Sequence, residues 1–155
     1  PVEQLYTRDI LALAAGIPVR PLVMRADHVM TARSPVCGSE IRLSVSFDAQ
    51  GKVQASGYEV RACAFGQASL SLFARQLEGA SIEAVRLAAQ ALQAMLKGSN
   101  EISGLWPGFE AFMPVVEVPA RHAAVMLPFQ AFELAAKAHE QQAPERSTAA
   151  PGKDA

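Results

Sequence analysis

The sequence is short of several residue types and segments that define common protein classes. Only two cysteines, Cys37 and Cys63, occur in 155 residues, too few for a disulfide-stabilised framework. The formal net charge is −1, so the chain lacks the positive field that draws nucleic acid. No apolar run approaches the roughly 18 residues that span a bilayer, and no basic start followed by a long apolar segment indicates a secretory signal. We therefore expect a cytoplasmic protein that binds neither nucleic acid nor membrane, with cysteines that are free thiols, ligands or redox groups and do not form a structural disulfide.

The composition that remains is that of a globular protein. Hydrophobic residues make up 50% of the chain and charged residues 19%, and the length suits one domain around one core. We place this domain at residues 1–140. From 141 to 155 no large apolar residue occurs, so this segment is predicted to be a disordered C-terminal tail.

A β-hairpin is the clearest local prediction. Apolar residues alternate with polar ones over 41–47, and a second strand-like run covers 53–60. Between them, the Asp-Ala-Gln-Gly-Lys segment at 48–52 has the composition of a turn. The alternation shifts at Gly57, which predicts a bulge there.

Helical spacing of apolar residues predicts four helices around this hairpin. They lie over 5–14, from about 66 to before 79, from the N-cap Ser81 to about 98, and within 120–138. The last helix contains Pro128, so it either kinks or begins at that residue. Residues 19–24 form either an edge strand or an extended loop, and Trp106 is either a core anchor or part of a partner surface.

The predicted hairpin brings the two thiols to the same part of the fold. In an antiparallel pair the start of the first strand lies beside the end of the second, which brings Cys37 and Cys63 to one sheet edge. Cys63 also precedes a helix start, where free N–H groups favour a thiolate. His122 joins them if the last helix begins beside this edge. A closed zinc or iron–sulfur site uses four donors, so three predict an open or partner-completed site; ordinary part-buried cysteines are the alternative.

The other two histidines carry no predicted role. His28 falls in the undecided region between residues 17 and 33, and His139 lies near the predicted tail and is expected to be solvated. No phosphate-binding glycine loop, nucleophile elbow or His-Glu zinc motif appears. The sequence therefore offers no catalytic residue, and we expect that the protein is not an enzyme.

The order of these segments resembles the iron–sulfur cluster assembly scaffolds of the NifU/IscU/SufU type. The resemblance covers roughly residues 4–138 and is most specific in the Pro-Val-Cys-Gly of 35–38. It also includes Leu5-Tyr6, the hairpin, Cys63-Ala64 and the segment 121–129 that opens the last helix. It implies an α+β fold of the SufE/NifU-like kind, with a small antiparallel sheet of about three strands and helices packed on one face.

The resemblance also implies a function. Such scaffolds hold zinc or a transient iron–sulfur cluster on three cysteines plus an aspartate or histidine, and receive sulfur from a cysteine desulfurase. Chaperones and recipient apo-proteins are further implied partners. Cys37 and Cys63 match the first two family cysteines and are implied to bind iron, zinc or the cluster, or to accept sulfur, with His122 as a third metal donor.

This chain departs from the family pattern at two ligand positions. Ser39 stands where the family usually has aspartate, Ala124 stands where the third cysteine is expected, and His122 is two residues before that position. Losing a thiolate and a carboxylate predicts weaker metal binding, or none. Two alternatives therefore stay open: a degenerate scaffold that regulates partners through Trp106, Phe109 and the 17–33 segment, or a sulfur-transfer partner that accepts a persulfide.

Overall fold

The computed structural model describes residues 5–36, 38–99 and 106–154, with side chains described as far as residue 142. Within these residues, three strands and four α-helices follow one another. The strands are β1 (His28–Arg33), β2 (Glu40–Phe47) and β3 (Val53–Arg61). The helices are α1 (Arg8–Ala15), α2 (Ala64–Leu77), α3 (Ile82–Leu96) and α4 (His122–Asp154), with 3-10 helices at Phe109–Val115 and Pro119–Arg121.

The strands form one antiparallel sheet in the order β1-β2-β3. The alternating apolar residues of β2 are buried under the helices, which confirms the predicted hairpin and the α+β class. The register shifts between Ser46, opposite Ala55, and Phe47, opposite Val53. The extra residue of the bulge is therefore on β3 at this end of the hairpin, and the bulge predicted at Gly57 is wrong.

Gly57 has a different reason to be glycine. Residues 17–27, which we call the strap, have no regular secondary structure and cross the outer face of the sheet. A Cβ added at Gly57 would lie 2.0 Å from the carbonyl oxygen of Pro21, so only glycine lets the strap approach this closely. Of the two alternatives for residues 19–24, edge strand or extended loop, the extended loop is therefore correct. The edge strand is β1, which follows the strap.

The helices bury the inner face of the sheet, and α2 lies at the centre of the core. Its Phe73 contacts the rings of Trp106, Phe129 and Phe132. Trp106 is 2% exposed, and its indole N–H donates to the carbonyl of Leu72. Trp106 is therefore a core anchor, and its alternative assignment to a partner surface is wrong because the ring is enclosed.

The ends of the later helices follow the sequence signals. Ser81 caps α3 by accepting the N–H of Ala84 at 3.0 Å, and Gly98 after that helix has a φ of +106°. Helix α4 begins at His122 and passes through Pro128, so it does not begin at the proline. Its backbone stays helical to Asp154, although the composition from 141 onward predicts disorder; the division into a domain and a disordered tail stays a prediction.

Within the described parts of the chain, none of the helices is both long enough and apolar enough to span a bilayer.

Candidate functional site

The candidate site lies at the sheet edge where β2 begins and β3 ends. Glu40 and Arg61 are paired there, which brings the residues just outside the two strands together. The backbone N–H of Cys63 donates to the hydroxyl oxygen of Ser39 at 3.3 Å. Cys37, the other predicted thiol, lies outside the described residues. The hairpin therefore places Cys63 beside Ser39, the position where the family resemblance expects an aspartate.

Cys63 is the N-cap of α2. Its backbone is extended (φ −67°, ψ 172°), and its carbonyl accepts the N–H of Gln67 at 2.9 Å. The thiol is not in a disulfide, is partly accessible and makes no side-chain capping hydrogen bond. The Cys63 thiol is therefore available as a nucleophile or ligand.

The start of α4 packs against the start of α2, one turn after Cys63. Ala124 is fully buried, and its Cβ and carbonyl oxygen lie 3.9 and 3.6 Å from where a Cβ on Gly66 would be. One residue later, the carbonyl of Val125 accepts the hydroxyl of Ser69. The position expected to hold a third cysteine is therefore in the same neighbourhood as Cys63, but it carries only a methyl group.

The imidazole of His122 is engaged with the chain that precedes α4. Its Nε2 lies 2.9 Å from the carbonyl oxygen of Val115 and 3.1 Å from that of Val116. A nitrogen facing two acceptors carries its hydrogen, so only Nδ1 has a lone pair for a metal. The side chain also lines a cavity of about 150 Å³ between α3 and α4, together with Lys97. The role of His122 as a third donor stays a prediction.

The described donors do not make a closed metal site. Across the parts of the chain that the structure describes, no three His, Cys, Asp or Glu side chains are grouped to hold a metal ion. At the sheet edge, Cys63 contributes a thiol, Ser39 a neutral hydroxyl and Ala124 no donor atom. A hydroxyl is a weak zinc or iron ligand, so this set does not fit a four-donor zinc site.

Sequence reasoning missed one pair of titratable groups. His28, placed in an undecided loop region, lies in β1 and is buried; His139, expected to be solvated, packs its ring on Phe47 with centroids 4.3 Å apart. His28 Nε2 and His139 Nδ1 are 3.2 Å apart. The alternation of His28 with Met30 and Ala32 is the only sequence signal for a strand here, and nothing local signals the contact with α4.

Comparison with known proteins identifies the family. Residues 21–105, more than half of the chain, match the family model of the NifU-like N terminal domain. The chain belongs to this family of iron–sulfur cluster assembly scaffolds. The match spans both cysteines and the hairpin between them. The predicted recognition and function class are thereby confirmed.

Individual relatives agree with this assignment. The crystal structure of a nitrogen-fixing NifU-like protein (N-terminal) from Brucella abortus is 33% identical, with a TM-score of 0.79 over 84% of this chain and 91% of that one. The zinc-dependent sulfurtransferase SufU of Bacillus subtilis (strain 168) is 27% identical over 112 residues, 72% of this chain and 76% of SufU.

A third relative supports the fold alone. The putative iron–sulfur cluster assembly scaffold protein for the SUF system of Fervidobacterium islandicum AW-1 has a TM-score of 0.79 at 21% identity. The superposition covers 86% of this chain and 98% of that one. At so low an identity the agreement confirms the three-stranded α+β architecture and says nothing of ligands.

Proposed function

We propose that this chain is a cytoplasmic scaffold that accepts sulfur from a cysteine desulfurase at Cys37 and Cys63. On these thiols it holds iron, zinc or a transient iron–sulfur cluster as cargo for recipient apo-proteins. The observation that carries the proposal is the family match across both cysteines, with Cys63 accessible at the start of α2. The name of the Bacillus subtilis relative, a zinc-dependent sulfurtransferase, supports zinc as cargo and sulfur acceptance.

The sulfur-accepting step needs only a thiolate and a persulfide donor. The thiolate of Cys63 attacks the outer sulfur of a persulfide on the desulfurase, a new sulfur–sulfur bond forms, and the desulfurase cysteine leaves as a thiolate. No oxidant is consumed, because the sulfane sulfur changes only its carrier. The helix N–H groups beside Cys63 stabilise the attacking thiolate and the persulfide that replaces it.

The cargo is held with fewer donors than the family pattern supplies. Cys37 and Cys63 provide two thiolates, and His122 would provide a third donor through Nδ1, since its Nε2 is bound to backbone carbonyls. Ser39 and Ala124 supply no anionic donor. The site therefore stays open to a ligand from the desulfurase, a chaperone or a recipient protein, and retains cargo weakly.

We assign the chain no catalytic residue of its own, although the Bacillus subtilis relative is named a sulfurtransferase. One observation favours a second candidate function. The hydroxyl of Ser39 lies beside Cys63 and the methyl group of Ala124 lies beside Gly66, at positions that the family resemblance links to metal binding and that persulfide chemistry does not need. A sulfur-transfer partner that never retains metal accounts for both replacements.

Two measurements on the same protein test the proposal. After anaerobic incubation with a cysteine desulfurase and cysteine, intact-mass spectrometry should show added sulfur that is lost in the Cys37→Ala, Cys63→Ala double variant. The matched control is Ser99→Ala, a small-residue change distant from the hairpin edge in sequence. A wild-type chain without any added sulfur would contradict sulfur acceptance at these thiols.

Reconstitution with iron and sulfide then separates the two candidates. A scaffold develops visible cluster absorbance that the double variant lacks, and His122→Gln lowers the iron retained if Nδ1 is a ligand. A persulfidated protein that stays colourless with iron and sulfide is the sulfur-transfer partner instead.

A further inference from the structure

An open groove runs between α3 and α4. It has a larger part of about 360 Å³ and a smaller part of about 150 Å³, and the smaller part ends at Lys97 and His122. The side chains of Gln93, Met126 and Gln130 line both parts, so the groove is continuous. It is far larger than the space that a single ordered water needs, and it is therefore of a size to hold a ligand.

The floor of the groove is apolar and its walls carry amides. The buried rings of Phe129 and Phe132 form the floor of the larger part, with Met126 beside them. Three exposed glutamines stand along the walls, and no other described residue forms a hydrogen bond with their side chains: Gln90, Gln93 and Gln130. A side-chain amide donates and accepts hydrogen bonds as a peptide group does. This combination suits a polypeptide segment with apolar side chains.

The two ends of the groove carry opposite charge. At one end the guanidinium of Arg86 binds two carboxylates, with its Nε 2.8 Å from Glu133 and its Nη1 2.6 Å from Glu140, which leaves one negative charge in excess. At the other end Lys97 is exposed, and among the residues that the structure describes none forms an ion pair with it. A bound chain whose negative end lies at Lys97 matches this pattern.

The backbone around Lys97 also favours an anion. The smaller part of the groove lies where α3 ends and α4 begins. The last carbonyls of α3, those of Gln93, Ala94 and Met95, accept the N–H groups of residues 97–99 and are thereby satisfied. The start of α4 is the positive end of that helix, which stabilises negative charge. The smaller part therefore suits a carboxylate.

We propose that this groove binds the C-terminal end of a partner protein, with the free carboxylate at Lys97 and apolar side chains on the floor. Residues 122–133 of α4 run along the groove, which at roughly 1.5 Å per residue gives a length of about 17 Å. An extended chain rises about 3.4 Å per residue, so about five residues fit. The site uses neither cysteine and stands apart from the proposed cargo site.

NMR titration of the full chain with acetyl-Leu-Ala-Leu-Ala-Leu tests the proposal. The leucines of this probe fall on one side of an extended chain, and it is compared with the same peptide carrying a C-terminal amide. The free acid should bind the wild type about fivefold more tightly than the amide, as one partly exposed ion pair allows. In Lys97→Gln the two peptides should bind equally. Lys137→Gln, the matched control, removes an exposed lysine of α4 outside the groove and should keep the difference.

A second variant blocks the groove itself. Ala89→Leu places a larger side chain in the larger part and should abolish binding of both peptides; if it does not fold, Ala123→Leu in the smaller part takes its place. A free acid that does not bind the wild type at about 1 mM, or binds no better than the amide, would overturn the proposal. So would a preference for the acid that survives in Lys97→Gln. Self-association of the wild type that Ala89→Leu abolishes in sedimentation would also overturn it, because the groove then holds a second copy of this chain.

Discussion

Replacing Gly57 by alanine should detach the strap from the outer face of the sheet. The new methyl group would lie 2.0 Å from the carbonyl oxygen and 2.8 Å from the carbonyl carbon of Pro21, and 2.9 Å from the hydroxyl of Ser44. The two Pro21 atoms belong to the backbone, so no side-chain rotation can move them away from the methyl group. Either β3 bends or the strap lifts, and the strap moves more easily because it has no regular secondary structure.

The size of the effect follows from the bonds that the strap makes next to Gly57. The N–H of Tyr58 donates to the carbonyl of Arg20 at 3.0 Å, and its hydroxyl donates to the carbonyl of Pro18. The N–H of Val23 donates to the hydroxyl of Ser44 at 3.0 Å. At about 1 kcal/mol for each lost bond, less the ~0.5–1 kcal/mol that alanine gains over glycine through the unfolded chain, the net loss is about 2 kcal/mol.

Urea unfolding of wild type and Gly57→Ala measures this loss. The matched control is Ser46→Ala, which removes a single strap bond, the one from the N–H of Asp27 at 3.0 Å, without any clash. It should destabilise by about 1 kcal/mol. Limited trypsin digestion supplies a second readout, since cleavage after Arg25 should speed up only when the strap lifts. A Gly57→Ala protein that is as stable as the wild type would refute the close-approach argument.

Three further changes have defined outcomes. The double variant Ser39→Asp, Ala124→Cys supplies the two missing donors, and its zinc affinity in competition with a chromophoric chelator should rise about a hundredfold or more; equal affinities would mean that the 124 position cannot reach the ion. Because the hydrogen bond to Arg86 lowers the pKa of Glu140 below its ordinary 4.5, the pair stabilises the fold above that pH and not below its lowered pKa. Glu140→Gln should therefore lower the free energy of unfolding by under about 1 kcal/mol at neutral pH and leave it unchanged in strong acid. A difference in urea midpoints that does not vary with pH would contradict this. Ser81→Ala removes the cap of α3 and should lower the unfolding free energy by about 1 kcal/mol, which an unchanged midpoint would exclude.

The hairpin and most helices were predictable because their signals are local. Alternation over 41–47 and the turn composition of 48–52 specify the strand pair, and Ser81 and Gly98 mark the ends of α3. The strap and β1 were harder for a physical reason. The strap carries large apolar side chains, yet Val19 is 93% exposed, while the neighbouring strand contains His28 and a threonine. A periodicity argument uses only the polarity of the side chains. In this region, burial depends instead on which segment pairs with β2.

The bulge shows a second limit of local reasoning. Glycine in a strand indicates either an extra residue or the close approach of another segment. At Gly57 the second cause applies, because Pro21 lies against it. Which cause holds depends on where the strap crosses the sheet, and no pattern within 53–61 contains that information.

The contact between Cys63 and Ser39 was predictable, and the contacts of His122 were not. The hairpin places the end of β3 beside Ser39, as antiparallel pairing requires, and the family resemblance led to Ala124 as the position of the missing donor. The direction of His122 was not predictable, since it depends on the carbonyls of Val115 and Val116 in a preceding 3-10 turn. Long-range partners of this kind also explain why the His28–His139 contact was missed.

The packing around Ala124 explains how a scaffold can lose a ligand and keep its fold. The start of α4 is fixed by the hydroxyl of Ser69 on the carbonyl of Val125 and by the close fit of Ala124 against Gly66. Neither contact involves a sulfur atom, so exchanging a thiol for a methyl group removes a metal donor without opening a cavity larger than the sulfur itself. Ligand positions on such a helix start can therefore vary independently of the architecture. If the proposed function holds, the donor count at Cys37, Cys63 and position 124, and not the fold, therefore decides how firmly the cargo is held.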